Sequence, residues 1–235
     1  MPPYQLAHRD RLIVALDTPA VAEARALVTA LDDSVTFYKI GLELVMNGGF
    51  DLARGLIGDG KRVFLDMKLL DIPNTVEKAT ANAAALGVTF LTIHGTDTKT
   101  LAAAIKGRAK SPLKLMAVTV LTSLNQDDLA EQGITSAPAD LVLHRARLAR
   151  TAGFDGVIAS GLEAAPIRSA VPANFLIVTP GIRLAGGAAG DQARVTTPAK
   201  AIADGADYLV VGRPITQAKD PKAAAERVVT DMAGI

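Results

Sequence analysis

Eight short apolar runs, each followed by an alanine-rich stretch, limit this chain to few folds. They occupy residues 12–16, 37–40, 63–65, 91–93, 115–118, 156–159, 175–178 and 208–211. Each is near strand length and rich in β-branched or large aliphatic residues. Nearly unbroken apolar runs suit strands buried on both faces, as in a parallel sheet. Helical signals fill the gaps. Thr18 and Pro19 read as an N-cap and first-turn proline for a helix over 20–31. Further helices are expected over 74–86, ending at Gly87 as a C-terminal glycine, and over 97–109, 138–152, 198–204 and 221–232. No Gly-, Ser- or Pro-rich linker divides the chain and no sequence repeat is evident. The expectation is an α/β fold, a closed (β/α)8 TIM barrel forming a single domain over residues 1–235. A doubly wound open sheet has the same alternation and is the competing arrangement.

Composition narrows the chemistry. Nearly half the residues are hydrophobic (49%), too many for a disordered chain. Lys plus Arg number 25 and Asp plus Glu 24, so net charge gives no reason to expect nucleic acid or an anionic membrane as partner. The absence of cysteine excludes disulfides, thiolate metal sites, iron–sulfur clusters and a cysteine nucleophile. Aromatic residues make up only 4%, which suggests a core of small aliphatic side chains without aromatic clusters. Met1-Pro2-Pro3-Tyr4 does not open a cationic and then apolar secretory signal. No apolar run approaches the roughly 20 residues that span a bilayer. A cytoplasmic protein is expected.

In a (β/α)8 barrel the C-terminal strand ends face the active site. Here they carry ionisable or small residues: Asp17 after the first run, Lys39 and Gly41 at the second, Asp66-Met67-Lys68-Leu69-Leu70-Asp71 after the third. His94 follows the fourth, Thr119 to Ser123 the fifth, Pro180-Gly181-Ile182-Arg183 the seventh and Gly212-Arg213-Pro214 the eighth. Strand alternation puts Phe64, Asp66 and Lys68 on one face, so a carboxylate and an ammonium share a pocket if that face is the interior. A structural salt bridge is the plainer alternative, but Lys39 on the neighbouring strand favours a site. The glycine-rich segment from Leu184 to Gln192, flanked by Arg183 and followed by Thr197-Pro198, suits a phosphate or a closing loop. Arg213 strengthens the phosphate reading over that of a plain surface loop. His94 is set aside as a hydrogen-bonding residue. No His–carboxylate spacing resembles a metal site, and no Gly-x-Gly-x-x-Gly supports a dinucleotide.

Asp66-x-Lys68-x-x-Asp71-Ile72-Pro73-Asn74-Thr75 resembles the signature of the orotidine 5′-phosphate decarboxylases. Ala15-Leu16-Asp17, Lys39-x-Gly41, 118–123, 179–183, Gly190-Asp191-Gln192 and Gly212-Arg213-Pro214-Ile215 extend the likeness along nearly the whole chain, in the order of the bacterial type. The resemblance implies decarboxylation of orotidine 5′-monophosphate to uridine 5′-monophosphate and CO2, with no metal and no organic cofactor. It implies a homodimer with shared active sites, in which Asp71 and Thr75 reach the partner's site while Lys39, Asp66 and Lys68 act in their own. Lys68, Asp66, Asp71 and Lys39 are thereby the expected catalytic residues. Asp17 and Lys39 would hold ribose hydroxyls, and Thr122 and Ser123 would lie at the pyrimidine. Pro180 belongs to the same substrate-binding set, and Arg183, Gln192, Gly212 and Arg213 would bind or close over phosphate. Two alternatives are a Mg2+-dependent sugar-phosphate decarboxylase or aldolase on the same barrel and a non-catalytic pyrimidine-nucleotide-binding barrel. The Ile72-Pro73-Asn74-Thr75 continuation disfavours the first, and an intact Lys68 disfavours the second.

Overall fold

The structure, a computed structural model, describes residues 6–184 and 195–234. Eight parallel strands close into a barrel in sequence order: β1 (Leu12–Ala15), β2 (Phe37–Gly41), β3 (Arg62–Leu69), β4 (Phe90–His94), β5 (Lys114–Val118), β6 (Gly156–Ile158), β7 (Leu176–Thr179) and β8 (Tyr208–Val211). β1 pairs with both β2 and β8, which closes the sheet and excludes the open doubly wound alternative. Seven strands match the apolar runs to within one residue; β3 runs on through Asp66 and Lys68 to Leu69.

Six helices lie where the sequence placed them: α1 (Val21–Leu31), α4 (Pro73–Leu86), α5 (Thr98–Arg108), α7 (Pro138–Thr151), α9 (Pro198–Ala203) and α11 (Pro221–Met232). Between them sit α2 (Leu42–Val45), α3 (Gly49–Gly58), α6 (Gln126–Glu131), α8 (Ala164–Ala170) and α10 (Arg213–Thr216), numbered in chain order. These five helices gave no clear signal. α3 carries glycines along its length and α8 contains Pro166, both poor helix formers. Thr18 is not an N-cap: α1 starts at Val21 behind an uncapped Ala20, and the Thr18 hydroxyl donates to the Ala20 carbonyl at 3.1 Å. Gly87 does end α4, with φ +84°, a conformation open to glycine and costly to other residues. Asp97 caps α5 by accepting the Thr100 N–H at 2.8 Å.

Alternation along the strands separates two cores. Leu12, Val14, Tyr38, Ile40, Leu65, Leu91, Ile93 and their equivalents point outward against the helices. Ile13, Ala15, Phe37, Phe64, Phe90, Met116, Val178, Tyr208 and Val210 fill the interior. The outer core is aliphatic, as composition suggests. The interior corrects that expectation, because Phe37, Phe64, Phe90 and Tyr208 pack edge to face with centroids 5.0–6.0 Å apart. The wide interior needs large side chains to exclude voids, and the chain concentrates its few rings there. The Arg62 guanidinium covers Phe37 at 4.6 Å. The interior is thus filled at one end, and polar groups collect at the other. Among the described residues no helix is long and apolar enough to cross a membrane.

Candidate active site

A cavity of about 440 Å³ opens at the C-terminal strand ends. Each ionisable group there follows from strand register. Ala15 on β1 pairs with Lys39 on β2, and Gly41 on β2 pairs with Asp66 on β3. Lys39 continues the inner face begun by Phe37, and Asp66 the face begun by Phe64. Asp17, Lys39, Asp66 and Lys68 therefore converge on the cavity.

They form an alternating chain of charge. Lys39 Nζ lies 2.8 Å from Asp17 Oδ1 and 3.6 Å from Asp66 Oδ2. Lys68 Nζ lies 2.7 Å from the same Asp66 oxygen. Asp66 Oδ1 accepts a hydrogen bond from the Thr92 hydroxyl at 2.9 Å. Lys39 and Asp66 are buried, with side chains 10% and 11% exposed, while Lys68 is 32% exposed and faces the cavity. Burial pushes the Asp66 carboxyl up. The Lys39 and Lys68 ammonium groups, with hydrogen bonds from Lys68 and Thr92, outweigh it and hold the carboxyl below its ordinary range. Asp66 is thereby a carboxylate at neutral pH. The four groups sum to zero charge, so the buried Lys39–Asp66 pair at the centre of the array is flanked by one partly exposed charge of each sign. Gly41 is part of this packing: a Cβ there would stand 3.1 Å from Lys39 Nζ and 3.3 Å from Asp17 Oδ1.

The cavity also holds two arginines. Arg183, after β7, and Arg213, first residue of α10, both line it, with Pro180 and Gly212 beside them. Burial and then the charge of Arg213 lower the Arg183 pKa. Two cations in mutual repulsion beside a cavity favour an anion between them. Thr122 lines the cavity, whereas Ser123 is exposed and is not among its walls. Gln192 lies outside the described residues, as does most of the glycine-rich loop.

Asp71 and Thr75 are not brought to this cavity. Both are exposed, and Asp71 Oδ1 accepts the Ile72 N–H at 2.6 Å. Within one chain the charge array therefore ends at Asp17, not at Asp71. His94 is half-buried; burial, then Arg145 and Lys68, hold its imidazole below its usual value, so it is neutral near pH 7. The sequence reading overlooked Thr92, Ile158, Ala159, Val210, Thr216 and Gln217. The first four lie in or at the end of apolar runs: Thr92 is a polar residue two positions after Phe90 and thus on the inner face, and Val210 follows Tyr208 by the same spacing. Thr216 and Gln217 reach the cavity only through the short helix α10, which left no periodic signal.

A family model described as "Orotidine 5'-phosphate decarboxylase / HUMPS family" matches residues 10–228. The chain belongs to this family. It is 55% identical over 226 residues to an orotidine 5′-phosphate decarboxylase of Rhodopseudomonas palustris (strain BisA53), covering 96% of each chain. It is also 55% identical over 231 residues to that of Bradyrhizobium sp. (strain BTAi1 / ATCC BAA-1182), covering 98% of this chain and 95% of that one. The crystal structure of orotidine 5′-phosphate decarboxylase from Lactobacillus acidophilus superposes with a TM-score of 0.84 at 39% identity, over 95% of this chain and 99% of that one.

Proposed function

We propose that this chain decarboxylates orotidine 5′-monophosphate to uridine 5′-monophosphate and CO2 in pyrimidine biosynthesis, and that Lys68 delivers the proton to C6. The observation that carries this reading is the Asp17–Lys39–Asp66–Lys68 array sharing one cavity with Arg183 and Arg213, in a chain whose relatives bear that activity in their names. Loss of CO2 from pyrimidine C6 leaves an electron pair in an in-plane orbital that the ring π system cannot delocalise. Stabilisation must come from positive charge fixed next to C6. Lys68, paired with Asp66 at 2.7 Å, is that charge, and it then gives its proton to C6. The ammonium is oriented before the reaction, so little reorganisation is needed when the charge develops.

The remaining roles are those the resemblance implies. Asp17 and Lys39 hold ribose hydroxyls, Thr122 lies at the pyrimidine beside Pro180, and Arg183, Arg213 and Gly212, joined by Gln192 from outside the described residues, take the phosphate. Binding energy from the phosphate helps order the charged array. The reading is tested by supplying orotidine 5′-monophosphate to the purified chain. Formation of uridine 5′-monophosphate is expected, and none over many hours would sink it.

A homodimer with shared sites is part of this proposal, and residues 1–235 act as one barrel domain within it. Leu42, Met46, Phe50, Leu70 and Ile72 are large, exposed and clustered on α2, the start of α3 and the β3–α4 loop. A second cavity of about 670 Å³ lies beside them, walled by Phe50, Met67, Leu69 and α4. Burying this apolar side against a second copy would carry Asp71 and Thr75 to the partner's site. Mixing Lys68→Ala and Asp71→Ala chains tests it. A random mixture is expected to recover about a quarter of wild-type activity, because half the dimers are hybrids with one intact site of two. No recovery above the separate variants contradicts shared sites.

A further inference from the structure

β3 and β4 fall out of step beside the charged array. Leu65 pairs with Leu91, but the next registered pair is Leu69 with Ile93. The β3 chain between those pairs is longer than the β4 chain facing it, and the surplus falls on Asp66, Met67 and Lys68. Lys68 takes φ +47°, in the left-handed region that non-glycine residues seldom enter. Such conformations persist when their surroundings hold them.

Thr92 faces this bulge from β4. It is fully buried, and its hydroxyl makes two hydrogen bonds. It accepts the Lys68 backbone N–H at 2.9 Å and donates to Asp66 Oδ1 at 2.9 Å. The first bond satisfies a backbone donor that the irregular ladder leaves out. The second fixes the carboxylate so that its other oxygen, Oδ2, meets Lys68 Nζ at 2.7 Å. A single hydroxyl thus ties down the lysine's backbone and the carboxylate that aims its ammonium.

We propose that Thr92 is a positioning residue for decarboxylation, holding the β3 bulge so that the Lys68 ammonium and the Asp66 carboxylate are fixed relative to each other. The proposal rests on the decarboxylase reading with Lys68 as proton donor. A buried filler on β4 would lose nothing by exchange for valine, which has nearly the same shape. A positioning hydroxyl would lose both bonds in valine and keep both in serine.

The test is steady-state kinetics on Thr92→Val and Thr92→Ser, with folding checked by circular dichroism. Thr92→Val is expected to lower kcat on the order of 10- to 100-fold while KM stays within about 3-fold, and Thr92→Ser to restore most of the loss. A folded Thr92→Val with wild-type kcat, or a serine variant as impaired as the valine one, overturns the proposal. A second readout needs no turnover: the pH titration of the Asp66 carboxyl carbon by NMR, its signal assigned with Asp66→Asn. Loss of a bond to the charged form should move this titration upward in Thr92→Val. A wild-type chain inactive on orotidine 5′-monophosphate refutes the decarboxylase reading, and the titration then decides the role of Thr92, an unmoved midpoint overturning it. If Thr92→Val does not fold, Thr92→Ala is judged by the same two readouts.

Discussion

Lys68→Ala is expected to lower kcat by about 10⁴-fold or more while uridine 5′-monophosphate still binds. The size follows from two losses at one atom. Removing a positioned general acid commonly costs about 10²–10⁴-fold. Removing a preorganised charge from the point where carbanion character develops adds about 10²–10³-fold. The cavity keeps its ribose and phosphate groups, because Asp17, Lys39, Arg183 and Arg213 stand on other elements. Asp66 also keeps Lys39 at 3.6 Å, so its carboxylate is not left unpaired. The measurement is kcat alongside the dissociation constant for uridine 5′-monophosphate. Near-normal turnover refutes Lys68 as the donor. Loss of turnover and product binding together would mean that Lys68 builds the pocket and does not drive the chemistry.

Arg213→Ala tests the arginine pair of the cavity. A charge-assisted phosphate contact is worth enough to raise KM by about 10- to 100-fold. The further expectation is a fall in kcat, although Arg213 is far in sequence from the reacting lysine. An uncatalysed reaction this slow asks for a barrier reduction near the upper end of what enzymes achieve, about 23 kcal/mol, which no single lysine supplies. On the proposed reading, remote phosphate binding would provide part of it by holding the pyrimidine against the charged array. Saturating kinetics separate the two effects. A raised KM with unchanged kcat would show that phosphate binding only recruits substrate.

Strand order and the polar strand ends were legible because period-two alternation is strict. Phe37 and Lys39 had to share a face, as had Phe64 and Asp66, and both pairs do. Barrel closure was harder to read, since it depends on the pairing of β1 with β8 across the whole chain. The short helices α2, α6 and α10 were missed because fewer than two turns of helix show no period. The β3 bulge was invisible for another reason. Lys68 has no glycine-like signature, and the Thr92 hydroxyl that meets its left-handed backbone comes from the next strand. Asp71 shows the reverse limit. Its motif marks it strongly, yet within one chain its side chain only caps its own loop.

The central claim is that fixed protein charges carry the decarboxylation without a metal. Orotidine 5′-monophosphate, incubated with the purified chain in excess chelator, tests it through the loss of orotate absorbance. The account predicts that absorbance falls at the same rate with chelator as without. A rate that collapses under chelator and returns with added Mg2+ would contradict it, and would favour an enzyme of the metal-dependent sugar-phosphate kind.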